Sequence, residues 1–116
     1  METCREGIGL FGLFELSDEG TILYSRTRLG SGLDTPSREH VGQDFFHDIV
    51  GCENKDDLRR HFRRFVSGGR PVDAFVFDCR FESEIVRTKI FMTRAFETDD
   101  EHAGEIVIMD IRQAGQ

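Results

Sequence analysis

The alternation of apolar and polar positions is clearest in residues 73–82. There Phe75, Phe77, Cys79 and Phe81 fall on one face, and Asp78, Arg80 and Glu82 on the other. A period of two marks a half-buried antiparallel strand. Residues 86–96 continue the pattern, with Val86, Thr88, Ile90 and Met92 sharing a face. An acidic turn at 97–104 leads to a last predicted strand at 105–112. Near the start, residues 7–16 alternate loosely and 21–26 read as a second strand. Ser17-Asp18-Glu19-Gly20 joins them as a hairpin, with glycine where φ turns positive. The period changes after Asn54, where Leu58, Phe62, Phe65 and Val66 stand at i, i+4, i+7 and i+8 on one helical stripe. Asn54 is placed to cap that helix, Asp56 and Asp57 suit its positive end, and Arg63 and Arg64 suit the other. Gly68-Gly69 should stop it. Residues 28–40, holding Gly30, Gly32 and Pro36, predict loop and short helical turns, and 45–49 at most one helical turn.

Strands in two runs around a helical middle specify an α+β fold, a five-stranded antiparallel sheet with helices packed on one face. The space between the sheet's concave face and the helical segment is where a small ligand would sit. The 116 residues suit one domain over 1–116, with a short N-terminal segment at 1–7 and a core at 8–112.

Charge and composition narrow the partners. A net charge of −7 opposes non-specific binding to nucleic acid or to anionic membrane surfaces. No apolar run approaches the roughly 18 residues of a spanning helix. The polar start, Met1-Glu2-Thr3-Cys4-Arg5-Glu6, is unlike a secretory signal, so a cytoplasmic location is the expectation. Cys4, Cys52 and Cys79 are an odd set without a Cys-x-x-Cys pair, which argues against a disulfide framework or zinc ribbon. Arg59-Arg60-His61-Phe62-Arg63-Arg64 reads as a solvated helix face rather than a phosphate patch. His47 and His61 read as solvent-facing or edge residues, since no second ligand stands at metal spacing. No Ser/His/Asp or paired-carboxylate arrangement recurs at usable spacing, so an enzyme is not expected.

The residue with the most chemical promise is Cys52. It closes Val41-Gly42-Gln43-Asp44-Phe45-Phe46-His47-Asp48-Ile49-Val50-Gly51-Cys52, an apolar turn feeding the helix. A thiol beside a helix N-terminus can have a lowered pKa and serve as nucleophile or attachment point. The competing reading is a small buried hydrophobe. Cys79, on the Phe75/Phe77/Phe81 face, reads as an inert core thiol facing the cavity. A Cys52–Cys79 disulfide is disfavoured in a reducing cytosol.

The order of elements and that segment resemble the PAS family, in particular its photoactive yellow protein branch. The resemblance runs from about Phe11 to Ala95. It is densest in Gly-x-x-Phe-Phe-x-Asp-Ile-x-x-Cys from Gly42 to Cys52, and continues through Phe62, Val66-x-Gly68, Phe75 and Met92-Thr93-Arg94-Ala95. It implies that Cys52 occupies the position carrying p-coumaric acid as a thioester. It also implies a pocket lined by Phe14, Ile49, Val50, Phe77 and Phe81, with Cys79 beside them. The branch holds the phenolate with a tyrosine, a protonated glutamate and a threonine; those positions are Ser25, Leu29 and Leu33 here, and the lid arginine falls at Thr35. Tyr24 is one residue from the tyrosine position, and a one-residue slip in a strand points a side chain to the opposite face. Leu29 cannot donate to a phenolate, so p-coumaric acid is disfavoured and the cofactor stays unknown. Haem through a helix histidine, which some PAS domains use, is disfavoured at His61.

Three readings follow. One is a sensory module that binds a small apolar or aromatic ligand beside Cys52 and signals to a partner protein. Another is a ligandless PAS dimerisation module. The third is a blue-light photoreceptor with p-coumaric acid on Cys52. Any output is expected to come from outside this chain, which holds no kinase, cyclase or DNA-binding segment. Val76 and Phe91 fall on the outer sheet face, where apolar side chains mark interfaces, so a homodimer is expected.

Overall fold

The computed structural model describes residues 11–29, 32–33, 40–97 and 104–114. The chain runs through β1 (Gly12–Ser17), β2 (Ile22–Leu29), β3 (Gly32–Leu33), a helical turn at Phe45–Ile49, α1 (Lys55–Ser67), β4 (Val72–Arg80), β5 (Ile85–Glu97) and β6 (Gly104–Gln113). The strands form one sheet in the order β3-β2-β1-β6-β5-β4, and every described strand pair is antiparallel. The five expected long strands are present. The sixth is a correction to the loop expected at 28–40: Arg28 pairs with Leu33 and Leu29 with Gly32. The glycine-rich composition did not reveal that Arg28 and Leu29 would pair with Leu33 and Gly32. The first strand begins at Gly12 among the described residues; the rest of the expected 7–16 span lies outside them.

The inner face of the sheet is apolar because its strands alternate. Phe14 and Leu16 on β1, Ile90 and Met92 on β5, and Val107, Met109 and Ile111 on β6 are all within 1 % of full burial. The register aligns them across strands, with Phe14 opposite Met109 and Ile90 opposite Ile111. Leu58, Phe62 and Phe65, the buried stripe of α1, cover this face with Phe45 and Phe46 of the helical turn. The rings of Phe14, Phe45, Phe46 and Phe62 run in sequence, with centroids 4.8, 5.1 and 5.0 Å apart. Rings so spaced give edge and tilted packing and leave no ligand-sized gap between them.

The segment before Cys52 is held at several points. Ile22 N–H donates to Gln43 O, and Gly42 N–H to Ile22 O, pinning it to β2. Asp44 Oδ1 accepts from Phe46 and His47 N–H, which starts the helical turn. Val50 N–H reaches back five residues to Phe45 O and ends it. Gly20 has a φ of +94°, and a Cβ there would come within 3.2 Å of the Phe46 ring. The hairpin glycine therefore serves both the turn and the close approach of an aromatic ring.

The helix ends differ from expectation. Asn54 precedes α1, yet its side chain makes no capping hydrogen bond; it is spent on β4. At the other end Gly68 is extended (φ −90°, ψ −172°), so no left-handed glycine stops the helix. Arg94 of β5 does that work. Its guanidinium donates to the carbonyls of Phe65, Val66 and Gly68, lies over the Phe65 ring and pairs with Glu105. One side chain thus satisfies the last carbonyls of α1 and locks the helix to the sheet. Among the described residues no helix is long and apolar enough to cross a membrane.

Candidate functional site

Cys52 lies in the turn between the helical turn and α1, at 2 % exposure, and Cys79 lies on the inner face of β4 at 0 %. Both are free thiols, and their Sγ atoms stand 2.9 Å apart. Three hydrogen bonds hold the turn against the strand around them. Glu53 N–H donates to Arg80 O at 2.7 Å. Asn54 Nδ2 donates to Asp78 O at 2.8 Å, and Asn54 Oδ1 accepts from Arg80 N–H at 3.0 Å. These bonds bracket Cys79 on its strand and follow Cys52 in the turn, so the sulfurs meet because the backbones around them are fixed.

The pair is electrostatically unequal. The Cys52 thiol is pulled below its ordinary value, first by its hydrogen bond with Cys79 and then, against burial, by backbone N–H groups around it. Cys79 is pushed far up, first by that same hydrogen bond, then by burial and by the charge on Cys52. Of the two thiols Cys52 is therefore the one that ionises first, and it is also the one nearer the N-terminus of α1.

Phe14, Val50 and Phe81 are buried in the same apolar cluster as the two cysteines, while Ile49 and Phe77 are half-buried and pack against it. Ser25 is fully buried on β2 and pairs with Phe14, so it faces inward. Tyr24 pairs with Glu15 on the opposite face, as the slip argument requires. Leu29 and Leu33 are placed at the β2–β3 end of the sheet, and their side chains lie outside the described residues, as does Thr35. His61 is half-buried and stacks on Phe75, with ring centroids 3.8 Å apart and planes 3° from parallel. Its ring therefore packs against a neighbour, and no group of metal-ligating side chains occurs among the described residues. Val76 is 54 % exposed on the outer face of β4. Phe91 is half-buried on that face, under Lys89 and Arg112.

Among solved structures, the fold matches the PAS domain of Bordetella pertussis BvgS with a TM-score of 0.60 and 10 % identity, covering 100 % of this chain and 85 % of the other. Its sequence is 29 % identical over 91 residues to photoactive yellow protein of Rhodothalassium salexigens, covering 77 % of this chain and 71 % of that protein. This chain has the PAS fold. No protein-family model matches it.

The PAS fold accounts for the position of the site, since Cys52 closes the segment that caps the inner sheet face. A phenolate ligand does not fit the donor set. Of the three positions matched to its partners, Leu29 and Leu33 are hydrocarbon, and a buried phenolate left unpaired costs several kcal/mol. The direct apposition of Cys52 and Cys79 was not legible in the sequence. The inward face of Cys79 was; that Asn54 would leave the helix cap to bind β4, and so bring the turn onto it, carries no sequence signature.

Proposed function

We propose that this PAS domain is a sensory module whose responding group is the Cys52 thiol. It takes a small, neutral, apolar or aromatic molecule beside that sulfur and passes the change to a partner protein. The observation that carries the reading is the Cys52 thiol of the sulfur pair, buried in an apolar cluster beside the start of α1. The four-phenylalanine run opposes a ligand among those rings, so the ligand would lie away from them, on the side of half-buried Ile49 and Phe77. Mass spectrometry of the protein purified from its source without reductant tests this. An adduct mapped to Cys52 or a co-purified apolar molecule supports it; an unmodified Cys52 with no bound molecule opposes it. A parallel test mixes the pure chain with carboxyl-activated p-coumaric acid. The donor set leads to no phenolate-shifted absorption band, and a shifted band lost in Cys52→Ala would restore the photoreceptor reading.

A second reading concerns assembly. Val72 and Val76 are 57 % and 54 % exposed on the outer face of β4, with Phe91 on the neighbouring strand. We propose that this face supports a homodimer, which would be the whole function if no ligand binds.

A further inference from the structure

We propose that Cys52 and Cys79 form a reversible dithiol–disulfide site that responds to a hydroperoxide. The pair is 27 residues apart in sequence and 2.9 Å apart in space. That separation lies inside the about 3.5–4.0 Å of ordinary non-bonded carbon contact and within about 0.9 Å of the 2.05 Å bonded distance. Side-chain torsion covers the remainder while the three hydrogen bonds of Glu53 and Asn54 to β4 keep both backbones in place.

The two thiols have complementary roles. Cys52, the thiol that ionises first, loses its proton and attacks the distal peroxide oxygen; the S–O bond forms, the O–O bond breaks, and the alkoxide leaves as an alcohol after taking that proton. Cys79 then attacks the sulfenic sulfur of Cys52. The S–S bond forms, the S–O bond breaks, and hydroxide leaves with the Cys79 proton as water. Overall two thiols lose two electrons and two protons, and one hydroperoxide becomes an alcohol and water. Cys52 itself is 2 % exposed. Its exposed neighbours Gly51 and Glu53, with Phe81 and Glu82, line an open groove of about 350 Å³, the side from which a small peroxide would reach it. Gly51 presents no side chain there, and a Cβ on it would be 3.8 Å from the Phe81 ring.

The device goes beyond ligand reception and rests on that proposal only in its consequence. An oxidised Cys52 has no thiol to offer a ligand, so the oxidised domain is blind to it. The bond would also staple the start of α1 to β4, closing the loop that contains the whole helix.

The test uses the full chain carrying Cys4→Ser, so that the pair alone is read. Reduced protein is exposed to a small excess of hydrogen peroxide and followed by intact mass, peptide mapping and thermal melting. Expected are a loss of two mass units, a Cys52–Cys79 linked peptide, a rise in Tm on the order of 5 °C or more, and full reversal by dithiothreitol. Cys79→Ser should instead stop at a Cys52 sulfenic acid trapped by dimedone. Two free thiols persisting in the folded oxidised protein, or a link that forms only after denaturation, would overturn the proposal. Ligation of Cys52 in the reduced protein by an activated aromatic ester is read separately. It can fail while the disulfide forms, which would remove the ligand reading and leave the redox site standing.

Discussion

At the scale of single residues, the acidity of Cys52 is set first by Cys79 and then by the backbone around it. The largest cause of its lowered pKa is the Cys79 hydrogen bond. Alkylation of Cys52 should therefore titrate with a midpoint below that of an ordinary free thiol, and Cys79→Ala should move that midpoint upward. Iodoacetamide rates across pH, read by mass on Cys52, check this; an unchanged midpoint in the variant contradicts it. The linked stability follows by sign. Cys52 has a depressed folded pKa, so its contribution appears as pH rises toward the ordinary thiol range and is lost as pH falls through the folded value. Cys79 has a raised one, so its contribution is present below the ordinary thiol range and lost as pH rises beyond it. Gly20 is a separate residue-scale constraint. At φ +94° and against Phe46, Gly20→Ala should destabilise by about 1–2 kcal/mol in urea unfolding.

At the scale of elements, the strands and α1 were legible because their periodicities are strong: Phe75/Phe77/Cys79 on one side of β4, and Leu58/Phe62/Phe65 on one side of α1. The helix termini were not, because tertiary partners replaced the local devices that sequence suggests. Asn54 faces β4 instead of capping α1, and Arg94, far along the chain, takes the carbonyls that Gly68 was expected to release. A long-range cap leaves no local signature. Arg94→Ala removes the tie to α1 and strands part-buried Glu105, for a loss of about 2–3 kcal/mol in chemical denaturation. Arg94→Lys keeps charge but not the fork of donors, and should recover less than half of that loss. Asn54→Ala should cost about 1–2 kcal/mol and also slow oxidative closure of the sulfur pair, since it releases the turn from the strand. A variant that loses stability but closes as fast as the parent would separate the clamp from the chemistry.

At the scale of the whole molecule, the sheet separates two surfaces with different uses. The inner face is filled at one end by aromatic rings and reaches the thiol pair at β4. The outer face exposes Val72 and Val76 near the edge of the sheet. If that face supports a homodimer, Val76→Asp should weaken it at least tenfold in sedimentation equilibrium while the monomer fold and Cys52 reactivity stay unchanged. Whether Cys52 is a receptive thiol rather than packing is decided by treating the reduced Cys4→Ser chain with an activated cinnamic thioester lacking the phenol and mapping the product by mass spectrometry. One acyl group per chain is expected on Cys52, absent in Cys52→Ala and blocked by prior oxidation. A folded chain that leaves Cys52 unacylated, or that is acylated only on Cys79, would contradict a receptive Cys52.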